Sequence, residues 1–155
     1  LLISADGEKY SPEGFEDSLT DGSKYIDQVV LHNNQDPYTT VIVVPNKEAL
    51  KEYVKSSNPG IDIDSREAKE LMLKKIQDEV NSYRKGGSRA GMFPERWLPA
   101  AIIVADEPFT EQNHMVNSTM KIVRGKVEKH YADRIEYALT PEGKNLLNDK
   151  NIASL

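Results

Sequence analysis

The chain has 155 residues, of which 38% are hydrophobic and 29% charged, with a formal net charge of −5 and no cysteine. That length and balance suit one globular domain with a core that needs no staples, rather than a disordered or membrane-spanning chain. The missing cysteines exclude disulfides and thiolate metal sites, and the acidic balance argues against a general nucleic-acid binder, which wants a basic face.

Leu1-Leu2-Ile3 is apolar but lacks the basic start and cleavage site of a signal peptide. Leu1 to Ser4 reads as a short strand, and Ala5-Asp6-Gly7 as a turn. Ser11 before Pro12 predicts an N-cap with proline in the first helical position, on a helix that buries Phe15 and Leu19 and ends at Asp21-Gly22. Tyr25 to His32 and Thr39 to Val44 are rich in β-formers. Asn33 to Pro37 between them is a hairpin-type connection. A short helix opens at Pro45-Asn46, turns Leu50, Tyr53 and Val54 inward, and breaks at Asn58-Pro59-Gly60.

Asp64 and Glu67 fit a capping box for the next helix, whose inner face is Ala68, Met72, Ile76, Val80 and Tyr83. A flexible loop, Lys85-Gly86-Gly87-Ser88, follows it, and Trp97 to Val104 predicts a further strand. One long helix is expected with Val123, Val127, Tyr131, Ile135 and Ala138 inward, closed by Thr140-Pro141. The tail from Asn148 is expected to be loosely held. The order predicts an α+β fold, a small and mainly antiparallel sheet with helices packed on it. The division expected is a domain over 1–140 and a helical turn and tail over 141–155.

Two segments hold the chemistry. The distal one is Asn117-Ser118-Thr119-Met120-Lys121-Ile122-Val123-Arg124, a hydroxyl pair, a lysine and an arginine before an amphipathic helix. A lysine at such a junction can be held away from its own domain, although the local pattern also fits a solvated surface lysine. The proximal segment runs from Asp6 to Glu16, where Gly7 allows positive φ or close approach of another backbone. By itself it also fits an ordinary strand-to-helix turn. His32, His114 and His130 show no ligand spacing. Arg84, Lys85 and Arg89 flank the glycine loop and could meet a phosphate group or an anionic membrane surface. A solvated loop is the plainer reading.

In this order, the two segments resemble the C-terminal domain of the AMP-forming acyl-CoA synthetases, in particular the long-chain fatty-acid:CoA ligases. The resemblance covers Leu1 to about Tyr137. It implies the fold of the C-terminal lid domain of adenylate-forming enzymes. It also implies that Lys121 is the adenylation lysine, with Thr119 and Arg124 on the substrate side. Ser4, Ala5 and Gly7 would then lie along the path of CoA. Glycine usually precedes that lysine, where this chain has Met120, and the long-chain branch often has Thr-Pro where this chain has Asn117-Ser118.

No nucleophile triad or Walker-type loop is present. In the family, the ATP loop and acyl pocket belong to a large N-terminal domain, the implied partner within one longer cytoplasmic polypeptide. ATP and CoA would be substrates of that parent, with Mg2+ held mainly by phosphates and the other domain. The other readings are a ligase for a different carboxylic acid and a non-catalytic α+β interaction module.

Overall fold

Two β-branched runs set the centre of the fold. In the computed structural model, which describes residues 1–155, strand β3 (Ile26–His32) pairs antiparallel with β4 (Thr40–Pro45), Val29 opposite Val43 and Leu31 opposite Val41. Strand β5 (Ala101–Val104) adds parallel to the other side of β4, giving the order β3-β4-β5. Central β4 is buried at every position, as a strand covered on both faces must be. Alternation sorts its side chains. Val41 and Val43 join one core, and Ile42 and Val44 the other.

The first core lies under helices α1 (Glu13–Gly22), α2 (Lys47–Ser57) and α3 (Arg66–Val80), through Phe15, Leu19, Leu50, Val54 and Ile76. The second lies under α4 (Arg124–His130) and α5 (Ala132–Ala138), through Val127, Tyr131 and Ile135. A separate antiparallel hairpin, β1 (Leu2–Ile3) with β2 (Lys9–Tyr10), completes the α+β architecture. Tyr10 stacks on Trp97 with ring centroids 5.4 Å apart, and its hydroxyl meets Thr39 beneath the sheet.

Several local expectations shift. Ser11 does not cap α1. Its hydroxyl bonds the Glu13 carboxylate, and Pro12 already has helical angles. The cap of α3 is Ser65, which accepts from the Ala68 N–H at 3.1 Å, not Asp64. Asp62 causes the one-residue displacement, because its carbonyl accepts from both the backbone and the hydroxyl of Ser65. The strand expected from Trp97 starts only at Ala101, since Glu95–Trp97 forms a 3-10 turn and Pro99 has no N–H for a ladder. The long C-terminal helix is two helices that meet at Tyr131 (φ −103°, ψ 19°). The bend keeps Val127, Tyr131, Ile135 and Ala138 all buried, so a single period reads through it.

The tail is not loose. Helix α6 (Pro141–Lys144) is capped by Thr140 and α7 (Asp149–Ala153) by Asn148. Asn151 is 1% exposed. It accepts from the Val104 N–H at 3.0 Å and donates to the Ile102 and Leu146 carbonyls, each at 3.0 Å. One amide thereby satisfies the open edge of β5, which would otherwise leave buried backbone groups unpaired. Asn151→Ala should cost about 2–3 kcal/mol, the penalty for orphaning such groups. Urea unfolding of the chain measures it, and a loss below about 0.5 kcal/mol would contradict this role for the tail.

Candidate functional site

The lysine segment is a tight hairpin whose geometry one asparagine sets. Val116 and Ile122 bridge antiparallel, and the Asn117 N–H donates to the Lys121 carbonyl at 2.9 Å. The Asn117 side-chain oxygen accepts from the Thr119 N–H (3.1 Å), the Thr119 hydroxyl (2.8 Å) and the Lys121 N–H (3.0 Å). Thr119 and Lys121 are both exposed, and Lys121 takes part in none of the ion pairs of the domain. Its ammonium is free to serve a group outside the domain.

Met120 sits at φ +65° with 77% of its surface exposed. Positive φ costs an L-residue of this kind about 1–2 kcal/mol, so the glycine that the resemblance implies at this place would have a backbone reason. Met120→Gly should therefore stabilise the isolated chain, by about 1 kcal/mol at most, because glycine also loosens the unfolded chain. A lower urea midpoint for Met120→Gly would show that the methionine contributes contacts that outweigh the strain.

Arg124 stands where the hairpin enters α4. Its guanidinium makes a forked pair with Glu16, Nη2 to Oε1 at 2.7 Å and Nη1 to Oε2 at 2.8 Å, and donates to the Leu31 carbonyl at 3.0 Å. Burial opposes its charge, but the hydrogen bonds and charge of Glu16 more than offset this, so the Arg124 pKa lies above the usual arginine value. The structure thus commits Arg124 to its own domain, and any effect on substrate passes through the segment it holds. Glu16 is a functional candidate that sequence reasoning missed. Its signal was a carboxylate set among Phe15 and Leu19 on the buried side of a helix.

An open cleft of about 810 Å³ runs between α1, β3 and the hairpin. Met120 and Lys121 line it together with Glu13, Asp17, Asp27 and Gln28. Lys121 thus shares the cleft with several carboxylates and forms an ion pair with none of them.

Ser4, Ala5 and Gly7 lie elsewhere, at the turn of the β1–β2 hairpin, and none of them lines that cleft. Gly7 has φ +88°, and a Cβ placed there would meet nothing within 4 Å. Its glycine is required by backbone conformation, and the space above it is open to an incoming group. Ser4 closes the turn, accepting the Gly7 N–H at 3.0 Å on its carbonyl and the Glu8 N–H at 3.1 Å on its hydroxyl. Arg96 and the Trp97 indole hold the Glu8 carboxylate in turn.

The basic loop is less free than expected. Arg84 donates to the Pro99 carbonyl at 2.8 Å and Arg89 to the Gly22 carbonyl at 2.8 Å, which leaves Lys85 as the exposed cation.

A family model described as the AMP-binding enzyme C-terminal domain matches residues 1–142, and the chain belongs to that family. It is 29% identical over 136 residues to the probable acyl-activating enzyme 16, chloroplastic, of Arabidopsis thaliana, covering 87% of this chain and 18% of that protein. Long chain acyl-CoA synthetase 8 of the same plant is 25% identical over 130 residues, with 82% of this chain and 17% of that protein covered. Among solved structures, the adenylation domain of a carboxylate reductase from Mycobacterium chelonae superposes with a TM-score of 0.61 at 26% identity, over 87% of this chain and 18% of that one. The chain thus spans less than a fifth of the length of these relatives. The α+β fold read from the sequence is the fold of the C-terminal domain of adenylate-forming enzymes.

Proposed function

We propose that this domain is the mobile lid of an AMP-forming acyl-CoA synthetase and supplies Lys121 to a large N-terminal adenylating domain of the same polypeptide. The observation that supports this most is the exposed, unpaired Lys121 ammonium on a braced hairpin, in the segment whose resemblance to the family implies the adenylation lysine. The first half-reaction joins a carboxylate oxygen to the α-phosphorus of ATP and releases pyrophosphate. A carboxylate and a polyphosphate repel each other, and charge builds on the transferring oxygens. An ammonium between them lowers that barrier by charge and by position.

Thr119 lies beside it on the substrate side, and Arg124 holds the base of the hairpin. In the second half-reaction the CoA thiolate attacks the acyl carbonyl and AMP leaves. On this reading the domain has then turned, and the Ser4–Ala5–Gly7 backbone lines the pantetheine path.

The acid we favour is a long-chain fatty acid, and the likeness to a plant protein named a long chain acyl-CoA synthetase supports a long acyl chain. The carboxylate reductase likeness favours a second reading, a different carboxylic acid. No group of three or more metal-binding side chains converges in this domain, and no step here runs through a metal. We place the parent in the cytoplasm, with Lys85 on the loop that would meet an anionic membrane surface.

The purified 155-residue chain should unfold cooperatively and show no ATP–pyrophosphate exchange, while the full polypeptide containing it shows both exchange and thioester formation. Exchange by the isolated chain would overturn the proposal.

A further inference from the structure

We infer that Glu16, on a different element from the lysine hairpin, is the positioning residue for Lys121. The inference rests on the reading of Lys121 as the adenylation lysine. It starts from the sheet edge. Strand β3 is an outer strand, and Leu31 turns both its backbone groups away from β4. Its N–H donates to Glu16 Oε2 at 2.7 Å, and its carbonyl accepts from Arg124 Nη1 at 3.0 Å. The Glu16–Arg124 pair therefore stands in for a missing neighbouring strand at that point, and both carboxylate oxygens are used. Glu16 is 9% exposed, so its charge depends on these partners.

The consequence reaches Lys121 through three residues. The hairpin has two roots. The first is Met115 and Val116, which are buried in the core. The second is Arg124, at the start of α4, a seven-residue helix whose N-cap, Val123, offers no side-chain bond. Packing fixes the first root, together with bonds from the Met115 and Val116 N–H groups to the Thr110 carbonyl, each at 3.1 Å. The second is fixed by a charged fork that ties α1, β3 and α4 to one carboxylate. Without Glu16 the second arm is tied mainly to the first, through the Val116–Ile122 bridge and the Val123 N–H on the Met115 carbonyl at 2.8 Å, and the direction in which the hairpin presents Lys121 is set less firmly against α1 and β3. A lysine that must reach a reaction centre in another domain is sensitive to this, because displacement by about 1 Å can cost as much as a hundredfold in rate.

The test uses Glu16→Gln, which preserves shape and removes charge, and Arg124→Lys, which keeps charge and removes the fork. In the full-length enzyme both should lower ATP–pyrophosphate exchange by about ten- to a hundredfold, mainly in kcat. Thioester formation from supplied acyl-AMP should stay near the unmodified rate. The double variant should be no worse than the worse single one, since both remove the same tie. In the isolated chain, trypsin should cut after Lys121 about tenfold faster in each variant, relative to its cut after exposed Lys85.

Equal loss of both half-reactions with a falling thermal midpoint would make Glu16 merely structural and overturn the inference. So would unchanged exchange and unchanged cleavage at Lys121 while Lys121→Ala abolishes exchange; in that case the lysine assignment survives. If Lys121→Ala itself leaves exchange intact, the assignment of the lysine fails and the inference fails with it. The trypsin comparison still reports whether Glu16 anchors the hairpin.

Discussion

Lys121→Ala in the full-length enzyme is expected to cut acyl-adenylate formation by about a hundred- to a thousandfold. The loss corresponds to about 3–4 kcal/mol, the cost of removing one well-placed charge or donor from a transition state. The residue is exposed and bears no ion pair, so its removal should leave the thermal midpoint of the domain unchanged. Acyl transfer from synthetic acyl-AMP to CoA should proceed at close to the normal rate, because on the lid proposal the lysine is carried away in that step. Pyrophosphate exchange and thioester formation, measured on the same preparation, separate the two steps. If both fall equally with the fold intact, Lys121 is not specific to adenylation. If neither falls, it is a surface lysine, and the domain acts without it.

Gly7→Val should give the opposite pattern. The turn is exposed, and Gly7 occupies φ +88°, so a β-branched residue brings about 1–2 kcal/mol of backbone strain without unfolding the core. It also fills space that is now open above the turn. Thioester formation from acyl-AMP should fall by at least about tenfold, the effect of misplacing a thiol from its line of attack, with pyrophosphate exchange retained. Gly7→Asn separates strain from crowding, since asparagine tolerates the left-handed region. A loss with both variants indicates crowding of the CoA path, and a loss with valine alone indicates the backbone. Normal thioester formation with both would remove the Ser4–Ala5–Gly7 turn from the CoA path.

Where side chains followed a clean period, the fold was legible in the sequence. Val29 to Leu31 and Val41 to Val44 announced the central strands, and Ala68, Met72, Ile76 and Val80 announced the face of α3. The parts that were hidden depend on polar side chains replacing backbone partners over long separations. Asn151 reads as a tail residue, yet it completes the edge of β5 from 47 residues away. Glu16 lies beside Phe15 on α1, but nothing local shows that it completes the edge of β3 and holds a residue 108 positions later. The break at Tyr131 was invisible because the bend preserves burial on both sides. Lys121 was found through the family pattern, and the structure adds why the neighbouring position favours glycine, in the φ of +65° at Met120.

That pattern singled out Lys121 for adenylation and put Arg124 on the substrate side, but it held no sign of the carboxylate that engages Arg124. Lysine and arginine are both cations three residues apart. Only their surroundings distinguish a free ammonium from a guanidinium already forked onto a carboxylate. The spacing of the two site segments was likewise open. The structure puts the Gly7 turn outside the Lys121 cleft, which is the arrangement a domain needs if it presents one face for each half-reaction.

The most direct test of this lid reading follows the reactivity of Lys121 itself through the cycle. The full-length enzyme would be treated with an amine-reactive reagent in three states: free, bound to a stable acyl-adenylate analogue, and bound to AMP with CoA. Labelling of Lys121 would be quantified by mass spectrometry against exposed Lys85. The account predicts strong labelling in the free enzyme, protection with the adenylate analogue, and renewed labelling with AMP and CoA as the lysine is carried back to solvent. Equal labelling of Lys121 in all three states would contradict it.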